Sequence, residues 1–332
     1  MTSPQVVYLL RWIIGNTFRQ AMASSVFWLL LGFSALAIVF CLGLSIEGGD
    51  NLRPEDDFLY HPKTNEPLTG PTNDLGSMSL FFGAFTVSLP RDRESGVHLI
   101  QVILGSWLAG GVGLLVMLVW TAGFIPEALQ PENASVQFAK PVPRWLFVAG
   151  AYVGVLCFVA FHAIVFFLGT WLAMSARTGV WLPGYLLGLP LLIIHFAAIY
   201  SVSVLLGVWT RSTVAAALGS ILFWVVCLMV NDGRHAALAL PQLSPQSPPL
   251  SSLSLFVIEA TYWVLPKPAD FFHILGQALS AHAHMATATR SPEFSAVEST
   301  GRFAAGAAIW TTLLFAAFPM LWAGQRLNKV DY

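Results

Sequence analysis

The stretch SVFWLLLGFSALAIVFCLGLSI, residues Ser25–Ile46, decides the fold because it contains no Asp, Glu, Lys or Arg. A helix of roughly 20 apolar residues is long enough to cross the hydrocarbon layer of a bilayer, which is about 30 Å thick. Five further uncharged stretches follow along the chain: Leu99–Ile125, Trp145–Met174, Trp181–Trp209, Thr213–Val230 and Phe303–Gly324. The sequence therefore predicts an all-α membrane protein in which residues 1–332 form a single domain with six transmembrane helices.

The composition of the whole chain agrees with this prediction. Of its 332 residues, 56% are hydrophobic and only 10% are charged, whereas soluble chains average about 25% charged residues. A water-soluble enzyme and a disordered chain are thereby excluded. The net charge of −1 gives no basic footprint for nucleic acid. We expect no cleavable signal peptide, because the first apolar run is long enough to remain as a span. Three cysteines, Cys41, Cys157 and Cys227, lie inside apolar runs, so buried thiols are expected.

An amphipathic pattern precedes the first span at residues Gln5–Gln20. Arg11, Gly15 and Arg19 share one helical face, and mainly apolar residues including Leu10 and Ile13 form the other. This pattern is typical of an interfacial elbow helix with its arginines towards the lipid headgroups. A simple N-terminal extension of the first span is the alternative.

The segments between the spans predict short elements outside the membrane. Phe85–Leu89 alternates apolar and polar residues, which favours a strand within the long acidic loop 47–98. In segment 231–302, Pro241–Pro249 is typical of a linker. Ser251–Leu265 is too short to span and contains Glu259, so we expect it to lie on the membrane surface. A second surface helix is expected near Pro268–Ala281.

The basic residues predict the orientation. With six spans both termini share one side, whose net charge is +4, against −5 on the other side. Because Lys and Arg in short loops favour the cytoplasm, both termini are expected there. The cytoplasmic side then holds Arg11, Arg19, Lys140, Arg144, Arg211, Arg326 and Lys329 against Glu127, Glu132 and Asp331.

Few residues inside the spans can carry chemistry. Apart from the thiols and the tyrosine hydroxyls, His162 and His195 are the only titratable side chains there. They could ligate a haem iron or relay a proton, but a neutral imidazole bonded to a hydroxyl or a backbone carbonyl is the simpler interpretation. Small residues four apart predict close helix packing. These residues are Gly105, Ala109 and Gly113 in the second span, and Ala215 and Gly219 in the fifth.

No catalytic, cofactor or metal site is expected. His273, His282 and His284 invite a metal site, but no thiol or carboxylate completes a ligand set, so a solvated loop is favoured. The sequence also lacks a P-loop, a His-Glu-x-x-His pattern and a Gly-x-Ser-x-Gly elbow. Energy for any work must therefore come from another chain or from a gradient.

The connection between the second and third spans, residues 126–144, carries the signals of a short cytoplasmic helix. Pro131 and Glu132 suit its first turn, Lys140 suits its last turn, and Pro141 ends it.

At this segment the sequence resembles the membrane-spanning permease subunits of ABC-2-type ATP-binding cassette transporters, on a branch near the maturation permease of nitrous oxide reductase. The similarity lies in Trp120–Pro126 and in Ala139–Trp145, with further similarity in Thr210–Ala216 and Tyr262–Asp270.

The resemblance implies a non-catalytic export subunit in the inner membrane of a bacterium. It also implies a dimer with a second copy or a paralogue, and a separate cytoplasmic ATPase. That ATPase would dock on the coupling segment, where the candidate contacts are Pro126, Glu127, Pro131, Glu132, Lys140, Pro141 and Arg144. Two alternatives stay open: an ATPase-linked membrane anchor that moves no solute, and a haem or histidine-based intramembrane protein. Uncharged spans mildly favour a lipid-like or amphiphilic cargo.

Overall fold

The protein is described from a computed structural model that covers residues 3–47, 76–89, 93–130, 132, 143–246, 250–279 and 292–328. Among these residues, six helices are long and apolar enough to cross a membrane, and each overlaps one predicted stretch. The prediction of a multi-pass, predominantly helical membrane protein is thus confirmed. We number the helices spans 1 to 6: Ser25–Leu42, Gly96–Ala128, Arg144–Thr178, Pro183–Thr210, Thr213–Leu243 and Ala305–Asn328.

The helices of spans 1 and 5 end at different residues from the predicted stretches. Span 1 ends at Leu42, and Ser45 and Ile46 belong instead to a strand. Span 5 continues as one helix to Leu243 and includes Pro241, which the sequence placed in a linker. The extension forms because the polar residues that follow Val230 find buried partners, as described below. A proline in the last helical turn removes only one backbone hydrogen bond.

Spans 2 and 4 are irregular helices. Span 2 continues the helix Arg93–Val102 as an 11-residue π-helix, Ile103–Gly113, before returning to α geometry at Leu114–Thr121 and ending in the short helix Phe124–Ala128. Most π-helical segments are single-turn bulges, so this length is unusual. Span 4 begins with a 3-10 turn, Pro183–Leu187, which leads into the α-helix Gly188–Thr210.

A separate N-terminal helix, Ser3–Ala23, precedes span 1. The break falls at Ser24, whose Oγ accepts a hydrogen bond from the Val26 amide at 3.1 Å and so caps span 1. The helix packs along the start of span 3, where Ile13 lies against Gly150 and Thr17 against Gly154. The two candidate elbow arginines lie on its exposed face.

A small antiparallel sheet with strand order β1-β2-β3 follows span 1. Its strands are β1 (Ser45–Glu47), β2 (Gly76–Leu80) and β3 (Phe85–Leu89). The predicted strand at Phe85–Leu89 is therefore confirmed, and the fold is not strictly all-α.

Contacts between spans define two ends of the bundle. The Arg144 guanidinium at the start of span 3 donates to the Leu327 carbonyl near the end of span 6, at 3.2 Å. Pro126 near the end of span 2 packs against Gly207 near the end of span 4. These contacts mark one end of the bundle, which we call the termini end because span 6 ends there. The opposite end holds the sheet and three short helices, Ser252–Val264, Pro268–Ala278 and Pro292–Ser299.

The core lies between spans 2, 3 and 4, which are each at least half buried, whereas spans 1, 5 and 6 are less than one third buried. The less buried spans expose large apolar side chains, as lipid-facing helices do. The prediction of three buried thiols is correct for Cys41 and Cys227 and wrong for Cys157, which is exposed on span 3. An apolar run reveals depth in a membrane but not which helix face points outward.

Candidate functional site

The most informative feature is the helix Pro268–Ala278, which we call the inserted helix. The sequence predicted that it lies on the membrane surface, but it packs between spans 2 and 4. The Phe271 ring lies 5.5 Å from the ring of His195 in span 4. Phe272 packs against Gly110 and Leu275 against Gly105, both in the π-helix. The helix packs against these spans because the two glycines leave room for its aromatic and aliphatic side chains.

The inserted helix enters from the opposite end of the bundle. At a rise of 1.5 Å per residue, its contact with His195 lies about 10 Å along span 4 from Gly188. Its C-terminal turn is fixed where the Ala278 carbonyl approaches Gly184 so closely that no side chain fits there. The inserted helix has 11 residues and is too short to span a bilayer. It therefore occupies only one end of the bundle, where it packs against spans 2 and 4.

A buried carboxylate anchors the first turn of the inserted helix. The Asn231 side-chain amide donates to Asp270 Oδ1 at 2.8 Å, and the Tyr262 hydroxyl donates to Oδ2 at 2.6 Å. His235 Nε2 lies 3.0 Å from Oδ1. The Asp270 amide in turn donates to Asn231 Oδ1 at 3.0 Å. Asp270 is completely buried, so these partners replace the water that the carboxylate loses.

An ion pair between Arg234 and Glu259 lies beside the Asp270 carboxylate. Arg234 Nε donates to Glu259 Oε2 at 3.1 Å, and the Arg234 guanidinium also lies 3.9 Å above the centre of the Tyr262 ring. The Trp263 indole N–H donates to the same Glu259 oxygen at 3.1 Å. These contacts join the extended end of span 5 to the helix Ser252–Val264.

Lys267 links the start of the inserted helix to span 6. Its Nζ donates to Thr311 Oγ1 at 2.7 Å and to the Leu265 carbonyl at 3.1 Å, and its backbone amide donates to Thr312 Oγ1 at 3.3 Å. Its side chain is fully buried. We call these residues together the polar cluster: Asn231, Arg234, His235, Glu259, Tyr262, Lys267 and Asp270.

Burial and neighbouring charges set the protonation states in the polar cluster. Burial would raise the pKa of the Asp270 carboxyl, but the hydrogen bonds and charge of its partners, His235 first, outweigh burial and lower that pKa below its ordinary value. Burial lowers the pKa of Lys267 to about 8, and the nearby Asp270 carboxylate only partly opposes the shift. Burial, reinforced by the Asp270 charge, raises the pKa of the Tyr262 hydroxyl. Asp270 is therefore an anion at neutral pH.

Two small cavities border the π-helix. One, of about 20 Å³, is lined by His195, Phe271 and both contact glycines. The other, of about 30 Å³, is lined by His162 and Ser34. Each is large enough for one or two water molecules. Because the two histidines border separate cavities, these spaces give them no common site for a haem.

The expected partner of His162 is not found among the described residues. Neither ring nitrogen of His162 makes a hydrogen bond there, and Nε2 of His195 also has none. The His162 ring instead packs against phenylalanine rings, of which Phe158 is 4.5 Å away and Phe27 is 5.0 Å away. In the described part of the chain, no group of three His, Cys, Asp or Glu residues could hold a metal ion.

The predicted coupling segment is only partly described. Pro126 is buried in the short helix that ends span 2, and Glu127 and Glu132 are exposed. Arg144 is the first residue of span 3 rather than part of the connection. Pro131, Lys140 and Pro141, which carry the predicted helix signals, lie outside the described residues.

The candidate packing residues have mixed surroundings. In span 2, Gly105 and Gly110 make the close contacts, whereas Gly113 faces the Leu108 carbonyl of its own helix. The predicted spacing of four assumed an α-helix, but a π-helix places residues five apart on the same face. Ala109 is buried. In span 5, Gly219 packs against Leu206 and Ala215 is half-buried.

The three histidines considered for metal are not brought together in the described part of the chain. His273 stacks on Phe294 with 3.7 Å between ring centres, and its ring is 5.7 Å from that of His235. His282 and His284 lie outside the described residues.

Sequence reasoning missed the polar cluster. Asn231, Arg234 and His235 follow span 5 at helical spacing, which was a usable signal that the helix continues with one polar face. No sequence pattern, however, pairs them with Asp270, which lies 39 residues after Asn231.

Comparisons with family models, with curated proteins and with solved structures found no match. The fold and the site therefore define the protein as a multi-pass membrane protein with one end of its helix bundle occupied by an inserted helix.

Proposed function

We propose that this chain is the membrane-spanning permease subunit of an ABC-2-type ATP-binding cassette exporter in the inner membrane of a bacterium. In this proposal both termini are cytoplasmic, the permease acts as a dimer, and a separate subunit hydrolyses ATP. The chain itself carries no catalytic group, cofactor or metal. Its resemblance to such permeases in Trp120–Pro126 and Ala139–Trp145 motivates the proposal.

The observation that most favours this function is the asymmetry of the bundle. The opposite end is occupied by the inserted helix, which the polar cluster holds to spans 5 and 6. The termini end carries the exposed carboxylates Glu127 and Glu132, on the connection where an ATPase would dock. A transporter needs a closure that a distant force can release.

The energy source is assigned to another chain for two reasons. The sequence has no P-loop, and ion-coupled transporters generally need ionisable residues along an intramembrane path. Here the six uncharged stretches contain no Asp, Glu, Lys or Arg, and the ionisable residues of the polar cluster lie together at one end of the bundle rather than along a path between its ends. ATP-driven closure of the partner would push residues 126–144, tilt spans 2 and 3, and loosen the contacts of the inserted helix with the π-helix.

Site-directed photocrosslinking tests the proposed partner. A photoreactive residue at Glu127 or Glu132 is expected to crosslink an ATP-hydrolysing protein in native membranes. The same group at Ser299, which is exposed at the opposite end, is the matched control and should give no such product. Failure to capture an ATPase from either carboxylate position, with the chain folded and inserted, would overturn the proposal.

A second function is favoured by the size of the cavities. The two cavities that border the π-helix in the described part of the chain, of about 20 and 30 Å³, hold water but no cargo. This favours a membrane anchor or mechanotransmitter that uses ATPase motion without moving a solute. Vesicles containing the complete complex distinguish the two: an exporter shows ATP-dependent flux of candidate amphiphiles and cargo-stimulated ATPase activity, whereas a mechanotransmitter shows neither.

A further inference from the structure

The turn between β2 and β3 exposes three phenylalanine rings. Phe81, Phe82 and Phe85 are 57%, 70% and 64% exposed. Phe81 and Phe82 also have positive φ angles of 51° and 58°. Left-handed backbone costs an ordinary residue about 1–2 kcal/mol, and turns that need it normally use Asn or Gly. Two exposed, strained phenylalanines in succession indicate a surface that something outside the chain covers.

The turn is attached to the last turn of span 1. The Phe82 amide donates to the Gly43 carbonyl at 2.9 Å, and the Phe81 ring lies 5.6 Å from that of Phe40. Leu36 and Val39, on the outward side of span 1, are 67% and 51% exposed. The phenylalanine turn therefore continues the apolar surface of the span.

The helix of span 1 is slightly shorter than the hydrocarbon core that it has to cross. Its 18 residues cover about 27 Å, slightly less than the roughly 30 Å of a hydrocarbon core. Aromatic rings placed just beyond the helix end extend the apolar surface to the membrane boundary, where such side chains are enriched.

The hairpin formed by β2 and β3 has one apolar face and one polar face. Its register pairs Met78 with Val87 and Leu80 with Phe85 on one face. The other face pairs Ser79 with Thr86. On the apolar face Met78 and Leu80 pack against the core, whereas Phe85 and Val87 are exposed. The apolar surface that the chain itself leaves uncovered therefore lies along β3 and the turn.

We propose that the phenylalanine turn, residues 81–85, inserts into the lipid bilayer at the boundary where span 1 leaves it. The turn acts as a membrane anchor that fixes the sheet against the lipid. This inference rests on the membrane-spanning fold and is independent of the proposed transport function.

Spin-label accessibility in lipid vesicles tests the anchor. Single cysteines replace Phe82, Phe85 or Val87 in a variant whose three native cysteines are changed to Ala, and each is labelled with a nitroxide. Thr86→Cys is the matched control, because it lies next to Phe85 on the hydroxyl face. Val87→Cys leaves the strained turn unchanged and keeps the test valid if the phenylalanine variants misfold.

Labels at the three apolar positions should collide several-fold more often with dissolved oxygen, relative to a water-soluble nickel chelate, than the label at position 86. Preferential collision with the nickel chelate at the apolar positions would overturn the proposal, since the turn would then lie in water. Protection from both reagents, with dipolar broadening between labels, would also overturn it, because a second copy of the chain would cover the turn.

Discussion

Removing the carboxylate of Asp270 should destabilise the protein more than any change at an exposed charge. Asp270→Ala leaves the Asn231 amide and the Tyr262 hydroxyl without their buried acceptor, and it removes the carboxylate that lies 3.0 Å from His235 Nε2. Each unsatisfied buried donor costs about 1–3 kcal/mol, so the Asn231 and Tyr262 donors together account for roughly 2–6 kcal/mol. Because the freed partners can relax together, we expect a total loss of about 3–5 kcal/mol.

The assay is reversible denaturant unfolding in detergent micelles, followed by circular dichroism and tryptophan fluorescence. Asp232→Ala is the matched control, because Asp232 is an exposed carboxylate on span 5 next to Asn231 and its loss should change the free energy of unfolding by less than about 0.5 kcal/mol. A native far-UV spectrum before unfolding verifies that each variant is folded. A loss below about 1 kcal/mol for Asp270→Ala would refute the anchoring role of the polar cluster.

Three further outcomes follow from the same contacts. The pKa of Asp270 is lower in the folded protein than the ordinary carboxyl value of 3.8. Its stabilisation of the fold is therefore present above that value and is lost as the pH falls below it. The stability difference between wild type and Asp270→Asn should shrink on acidification, as pH-dependent unfolding would measure. Burial lowers the pKa of Lys267 from 10.5 to about 8, so its charged form opposes folding and the stability should rise between pH 8 and 10.5. Lys267→Met should remove that rise. An unchanged dependence of stability on pH in this variant would contradict the lowered pKa of Lys267. Gly184→Ala places a methyl group against the Ala278 backbone carbonyl and should cost about 1–3 kcal/mol in a thermal unfolding assay, whereas Gly276→Ala, in the inserted helix with open space around it, should be neutral or stabilising by up to about 1 kcal/mol.

The spans were predictable because exclusion of charge from a hydrocarbon core is a local property of each segment. The strand Phe85–Leu89 was predictable for a similar reason, since its alternation of apolar and polar residues is visible without knowledge of its partners.

The inserted helix was not predictable in the same way. Its apolar residues, such as Phe271 and Leu275, suit a helix on the membrane surface as well as one between spans. The deciding features are Gly105 and Gly110, which lie far away in the sequence and face it only because their segment is π-helical. Helical periodicity assumes 3.6 residues per turn, so a search for that period does not reveal a π-helix.

The polar cluster was likewise only partly predictable from the sequence. Asn231 and Arg234 signal by their spacing that span 5 continues, but a polar helix face at a membrane boundary normally meets water. Only the tertiary fold shows that Asp270 and Glu259 take the place of water there. Buried charge pairs between distant segments are a property of packing rather than of local sequence.

The most direct test of the account asks whether the inserted helix moves when ATP is hydrolysed. Phe271→Cys, in a variant without native cysteines, places a thiol on the buried face of the inserted helix, at a position that is 4% exposed. A membrane-impermeant thiol reagent is added on the side of the opposite end, and Ser299→Cys serves as the accessible control. In vesicles containing the ATPase partner, we predict that ATP raises labelling of Phe271→Cys at least several-fold and leaves the control unchanged. Labelling that stays at its resting rate while ATP is hydrolysed would contradict the account.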